Sequence, residues 1–373
     1  MSRIIIVGAG GIGRACGLIL LKHYGTNHTV VLADIDQGQC DFSRNWIEKG
    51  LGQQISSLET ILIKDESLHD WDPEGDVILD CSPGANCAAV ARVALRKGMH
   101  YANLTENVPE TKKIISMVKG KENGFILQTG LAPGYINVFS NRLIRQFEKS
   151  YPDVSVEDVK MRVGALSIYA SSPSYYAFTW SPAGVSTEYL NDAEVLREGK
   201  VQLIEPLSER EQLLIEGELL EADLTSGGAS DLPSYYQGKI DNLDYKSLRY
   251  PNHFSWIQRI KDNLGAALNI ESLKREMLKE TSFQEEDRVL LYASVSGHTQ
   301  EGFKLERARH LEIRPVKVVG VLMSAIQRTT ASALAQCADM LLEGRIHGLT
   351  LQSGVPTDEF LSGHFVEAHY GSV

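Results

Sequence analysis

The run Gly8-Ala9-Gly10-Gly11-Ile12-Gly13 constrains this chain more than any other feature. It fits G-x-G-x-x-G, a spacing that an unrelated glycine-rich turn could also satisfy, and its surroundings give it meaning. Arg3 to Val7 reads as a buried strand, and Gly11 to His23 places Ile12, Cys16, Ile19 and Leu20 at helical spacing. Thr29 to Ala33 is a second apolar strand closed by Asp34, 21 residues after Gly13. Strand, glycine turn, helix, strand and acid in that order are the pattern of a dinucleotide-binding unit. Gly8 permits the tight turn, Gly10 lets backbone approach a pyrophosphate, and Gly13 lets helix pack on strand. The amides at the helix start, those of Gly11 and Ile12 among them, then face phosphate oxygens. Asp34 is expected to accept hydrogen bonds from the adenosine ribose and to repel the extra phosphate of NADP. The cofactor expected is therefore NAD, with NADP possible.

The alternation continues. Leu58 to Ile63 and Asp76 to Cys81 read as strands, and Asn86 to Lys97 as a helix stopped by Gly98. His100 to Leu104 is a strand, Pro109 to Lys121 a helix opened by its proline, and Gly124 to Thr129 a strand. Apolar strands separated by amphipathic helices predict α/β architecture, a doubly wound Rossmann sheet with both faces covered. Two loops follow strands at the edge where such sheets hold ligands: Ser82-Pro83-Gly84, and Gly130 to Gly134 with Pro133 inside it. Both are expected to touch the cofactor, plain turn chemistry being the other reading.

After about Ile136 the character changes. Val156 to Ser167, Lys200 to Ile204, Leu213 to Leu224 and Lys239 to Leu248 read as strands, with helices at Phe254 to Leu264 and Ile270 to Leu278. Val289 to Ser296 and Phe303 to Ile313 read as a hairpin. This predicts a second, α+β domain on a mixed sheet. The tail holds a helix from about Ser332 to Leu342, stopped by Gly344. The expected division is 1–135, 136–320 and 321–373, since 373 residues exceed one ordinary core.

Charge and cysteine usage narrow the partners. Lys plus Arg is 37 and Asp plus Glu is 48, a net charge of −11 without a basic run, which argues against nucleic acid and an anionic membrane surface. The five cysteines are scattered and odd in number, as for free thiols in a reducing compartment, and no cluster has metal-ligand spacing. No signal peptide or bilayer-length apolar run is apparent, so a cytoplasmic protein is expected.

Four motifs in order carry a family resemblance: the Gly8–Gly13 turn, Gly130-Leu131-Ala132-Pro133-Gly134, Trp180-Ser181-Pro182 within Thr179 to Gly184, and Leu248-Arg249-Tyr250-Pro251-Asn252-His253. The last departs from the family pattern, with Asn252 where glycine is usual. The chain resembles the saccharopine dehydrogenase-like family, which includes saccharopine reductase, lysine dehydrogenases and carboxynorspermidine dehydrogenase; the lysine dehydrogenases look closest. The resemblance implies a second domain inserted into the Rossmann domain, a C-terminal helix returning to it, and a homodimer formed through the insertion. It also implies hydride transfer between nicotinamide and a carbon bearing nitrogen in an amino acid.

An amino-acid substrate offers a carboxylate and an amine. Arg249 is the candidate for the carboxylate, because a guanidinium makes bidentate, charge-assisted bonds to it; a structural ion pair is the alternative. His253 can take the amine proton or be structural. Trp180, Ser181, Tyr176 and Tyr250 can line the substrate pocket, although aromatics more often fill cores. Glu106, after the fifth strand, is a second acid/base candidate, or a charge at a helix start. The rival function is a dinucleotide-binding sensor or structural protein without turnover.

Overall fold

Arg3–Val7 forms strand β1, and Ile4, Ile5 and Ile6 in it are fully buried, as a central strand covered on both faces requires. In the computed structural model, which describes residues 1–64, 68–106 and 108–372, the chain divides into two compact units. The first comprises Met1–Tyr135, Val316–Met323 and Gln327–Val373; the second comprises Ile136–Pro315 and Ser324–Ile326.

In the first unit β1 is followed by α1 (Gly11–Tyr24), β2 (Thr29–Asp34), α2 (Gln37–Leu51), β3 (Leu58–Leu62) and β4 (Val77–Asp80). Then come α3 (Cys87–Lys97), β5 (His100–Asn103), α4 (Val108–Val118) and β6 (Phe125–Ile126). The second unit runs through α5 (Tyr135–Ser150), β7 (Asp158–Ser167), α6 (Pro182–Glu188), β8 (Ala193–Arg197), β9 (Lys200–Ile204), β10 (Glu211–Ile215) and β11 (Glu218–Leu224). It continues with α7 (Leu232–Tyr236), β12 (Asn242–Arg249), α8 (His253–Leu264), α9 (Ile270–Glu280), β13 (Asp287–His298) and β14 (Lys304–Ile313). The remaining elements are β15 (Val316–Val318), β16 (Val321–Met323), α10 (Ala325–Leu342), β17 (Leu349–Thr350), α11 (Thr357–Leu361) and α12 (His364–Tyr370).

The first sheet has seven strands in the order β17-β6-β5-β4-β1-β2-β3, every pairing parallel. The returning C-terminal segment contributes β17. Among the described residues no helix is long and apolar enough to cross a membrane. The second sheet is mixed, in the order β10-β11-β12-β7-β13-β14; β12 and β7 run parallel and the other pairs on this path antiparallel. Beside the sheet, Val185 of α6, Phe254 and Ile257 of α8, and Leu273 and Met277 of α9 form a shared core with Tyr176, Phe178 and Tyr189.

Two expectations need correction. The single strand expected over Leu213 to Leu224 is a hairpin, β10 and β11, turning at Glu216 and Gly217 with φ of 50° and 86°. Two successive left-handed residues make the turn that suits strand twist, and an X-Gly pair is its ordinary sequence. The tail helix starts at Ala325, seven residues before Ser332. Its start is set by a distant group: the buried Asp287 carboxylate accepts from the Ala325 amide at 2.6 Å and the Ile326 amide at 2.9 Å. These first-turn donors have no partner within the helix. Asp287→Ala is expected to cost about 1–3 kcal/mol of stability, read from denaturant melts, because two buried amides lose their acceptor. An unchanged melt would mean that the cap contributes nothing.

Candidate functional site

From β3 to β6 the first sheet is ordered 3-2-1-4-5-6, so its order reverses between β1 and β4. Ligands of open parallel sheets sit in that crevice, beyond the carboxyl ends of the strands. The glycine turn leaves β1 there. Gly8 has φ of +92°, and a Cβ on it would lie 2.7 Å from the Cys81 carbonyl oxygen. A Cβ on Gly13 would lie 1.9 Å from the Gly8 oxygen. These two glycines are required by the protein's own packing. Gly10 is different: nothing lies within 4 Å of where its Cβ would be. As N-cap of α1 it brings no side-chain acceptor, so the amides of Gly11 and Ile12 have no side-chain cap. Open space over uncapped helix amides fits a pyrophosphate.

The second residue of the turn, Ala9, is held at both ends. Its amide donates to Asp34 Oδ2 at 2.7 Å, and its carbonyl accepts from Ser43 Oγ at 2.5 Å and Gln39 Nε2 at 2.9 Å. The other oxygen of Asp34 accepts from the Asp36 amide at 3.1 Å. Asp34 thus fixes the turn as well as closing β2. Gln39 and Ser43 belong to no motif, so the sequence did not single them out on the helix that follows β2. The available signal was Asp36, which caps α2 by accepting from the Gly38 and Gln39 amides. Arg44 on α2 pairs with Glu48 at 3.2 Å.

Of the other expected cofactor loops, Ser82 follows β4 and donates through both its amide and its hydroxyl to Asp80 Oδ1, at 2.9 and 2.6 Å. The Tyr101 hydroxyl donates to Asp80 Oδ2 at 2.7 Å. Burial pushes the Asp80 carboxyl up, and these bonds oppose it. Pro83 precedes a 3₁₀ turn over Gly84–Asn86 that leads into α3. The Gly130 to Gly134 loop closes on itself: the Gly130 amide donates to the Pro133 carbonyl and the Tyr135 amide to the Gly130 carbonyl, both at 2.9 Å. Glu106 lies three residues past β5, and burial pushes its carboxyl up against its own backbone amide.

The second unit assembles a different cluster at the end of β12. Arg249, 3% exposed, donates from Nε to the Tyr189 hydroxyl and from Nη1 to the Leu248 carbonyl, both at 2.8 Å. Its guanidinium lies 5.1 Å from the ring centre of Tyr176. Among the described residues no carboxylate comes within 4.0 Å of it; Glu188 acts on it only from farther away. The Tyr176 hydroxyl is buried without a well-formed hydrogen bond, drawing only a weak interaction from the Trp180 side chain. Trp180 packs onto the first turn of α6, where a Cβ on Gly184 would strike its ring.

Three residues expected at the chemistry have partners within the protein. His253 is fully buried, with Nδ1 2.8 Å from the Ser174 carbonyl and Nε2 2.9 Å from the Tyr189 hydroxyl. Burial first, and the Arg249 charge second, lower its pKa to about 3. With both nitrogens engaged by protein partners, the ring holds its neighbours in place. Ser181 caps α6, its hydroxyl accepting from the Gly184 amide at 3.2 Å, with Pro182 following at the first helical position. Tyr250, the residue after β12, packs with Leu166, Leu248 and Leu290, apart from the Tyr176 and Tyr189 rings beside Arg249. Its hydroxyl donates to the Ser167 carbonyl and accepts from Arg288 Nη2, both at 3.1 Å. Asn252, the departure from the family pattern, has φ of 78°, a conformation that asparagine tolerates next best after glycine.

Fold and site together define a dinucleotide-binding α/β oxidoreductase fold carrying a separate mixed-sheet domain. The family model for the saccharopine dehydrogenase NADP binding domain matches residues 4–123, and that for the saccharopine dehydrogenase C-terminal domain matches residues 130–361. The chain belongs to the saccharopine dehydrogenase family. Among solved structures it is similar to apo saccharopine dehydrogenase (L-Glu forming) from Saccharomyces cerevisiae, at 16% identity and a TM-score of 0.73, over 99% of this chain and 98% of that one. It is also similar to a homospermidine synthase from Legionella pneumophila in complex with NAD, at 12% identity and a TM-score of 0.68, over 99% of this chain and 90% of that one.

Proposed function

We propose that the protein is an NAD-dependent dehydrogenase acting at a C–N bond of an amino acid. The observation that carries this reading is Arg249: a buried guanidinium with no carboxylate inside 4.0 Å among the described residues. A guanidinium stays charged, and a buried charge without a partner is costly, so an anionic ligand group is the natural complement. The first unit would hold the dinucleotide through Gly8–Gly13 and Asp34, with the Ser82–Gly84 and Gly130–Gly134 loops beside it. The second would hold the amino-acid carboxylate on Arg249, with Tyr176 and Trp180 against it. When bound, the nicotinamide supplies the hydride acceptor. Glu106, with a carboxyl raised by burial, is the acid/base candidate of the first unit. A homodimer contact through the second unit, implied by the family resemblance, would use its exposed Leu203 and Leu214.

The test is oxidation of saccharopine and of L-lysine with NAD, followed at the reduced-nicotinamide absorbance band. Turnover of either is expected. Tight NADH binding with turnover of neither would favour the non-catalytic sensor.

Cofactor preference follows from Asp34. Its carboxylate meets the 2′-phosphate of NADP as a like charge, and the next arginine in sequence, Arg44, is engaged by Glu48. The ratio of kcat/KM for NAD over NADP is expected to exceed one and to fall by roughly tenfold in Asp34→Ser. A native preference for NADP, or an unchanged ratio in the variant, would refute this assignment.

A further inference from the structure

We infer that Tyr189 is a positioning residue of the substrate site: with His253 behind it, it locks the Arg249 guanidinium so that the donors left on Nη1 and Nη2 are held in a fixed orientation for a carboxylate. The inference rests on Arg249 being the carboxylate anchor. Tyr189 is fully buried in the aromatic core of the second unit, one residue beyond the end of α6. Its hydroxyl has two neighbours, Arg249 Nε at 2.8 Å and His253 Nε2 at 2.9 Å. Arg249 can only donate, so the hydroxyl accepts from it; the Ser174 carbonyl beside Nδ1 can only accept, so in a neutral ring Nε2 is bare and the hydroxyl gives its own proton to it. His253 Nε2 is then the accepting nitrogen, and Nδ1 carries the hydrogen donated to the Ser174 carbonyl 2.8 Å away. Every group in the row Arg249, Tyr189, His253, Ser174 is satisfied in one direction only. A charged imidazole would have to turn a donor toward the Tyr189 hydroxyl and break the row, which explains why a histidine is buried here in its neutral form.

The consequence lies at the guanidinium. Of its five N–H donors, Nε–H goes to Tyr189 and one Nη1–H to the Leu248 carbonyl. The side-on pair, which needs Nε–H, is thereby closed to a ligand. One Nη1–H and both Nη2–H donors are left. A carboxylate is therefore met by a fixed fork whose orientation Tyr189 sets without touching it.

The test is a double-mutant cycle on Tyr189→Phe and Arg249→Ala, with saccharopine and L-lysine as probes and NADH affinity as control. Phenylalanine keeps the ring and removes only the hydroxyl. Tyr189→Phe is expected to raise KM for the amino acid roughly tenfold while leaving kcat and NADH affinity near wild type. In the Arg249→Ala background the same change is expected to add nothing, because the two act through one contact. Wild-type KM in Tyr189→Phe beside a raised KM in Arg249→Ala would overturn the relay and leave the anchor standing. Wild-type kinetics in Arg249→Ala would overturn the anchor, and the relay with it. A second arm needs no variant and no turnover. Nitrogen-15 spectra of the histidines in the unmodified protein should show His253 neutral and protonated on Nδ1 throughout the mildly acid range. The opposite tautomer, or a charged ring, would overturn the proposed direction of the relay.

Discussion

Gly10→Val is expected to weaken NADH binding by roughly a hundredfold, about 2.8 kcal/mol, in a protein that still folds. The two halves of this expectation have separate causes. Folding survives because Gly10 has φ of −66° and ψ of −162°, an extended conformation open to valine, and because its Cβ would meet no protein atom within 4 Å. Binding fails because that empty volume adjoins the uncapped amides of α1, and a branched side chain would stand between them and a pyrophosphate. Gly13→Val provides the contrast: its Cβ would lie 1.9 Å from the Gly8 oxygen, so it should lower thermal stability before any ligand is added. NADH fluorescence titration and circular-dichroism melts on both variants separate the effects. A folded Gly10→Val protein with native NADH affinity would remove the turn from the cofactor site.

What could be read in the sequence follows the range over which each signal acts. The strands of the first unit were legible because their apolar runs, such as Ile4 to Val7 and Val30 to Ala33, are local and continuous. Helix α2 left a weaker mark, since its buried stripe is Cys40, Ser43, Ile47 and Gly50, only two of which signal an apolar face. Helix α5 was hidden for the opposite reason: its first half is buried all round and includes Asn137, Ser140 and Asn141, which breaks the periodicity. At the candidate site, motifs pointed to Arg249 and His253 but could not tell their roles apart, because role depends on burial and on partners distant in sequence. Tyr189 lies sixty positions before Arg249, and no motif surrounds it.

Arg249→Ala is expected to lower kcat/KM for the amino-acid substrate by more than tenfold, with NADH affinity unchanged. Truncating one partner of a buried, hydrogen-bonded charge pair typically costs about 2–5 kcal/mol, and here the second partner would be the substrate carboxylate. Without substrate the balance is the reverse. The guanidinium is buried with no ion-pair partner among the described residues, so its removal relieves a desolvation cost and gives up two hydrogen bonds, to the Tyr189 hydroxyl and the Leu248 carbonyl. The melting temperature of the ligand-free variant should therefore stay close to that of the unmodified protein. A binding arginine and a structural one diverge on these two measurements: the first loses substrate use while the fold keeps its stability, and the second loses stability while kcat/KM persists. Substrate binding should also raise the melting temperature of the unmodified protein and leave that of Arg249→Ala where it is, since a ligand stabilises only the state it binds. A variant with native kcat/KM and a lowered melting temperature would make Arg249 a part of the core, and the carboxylate would need another anchor.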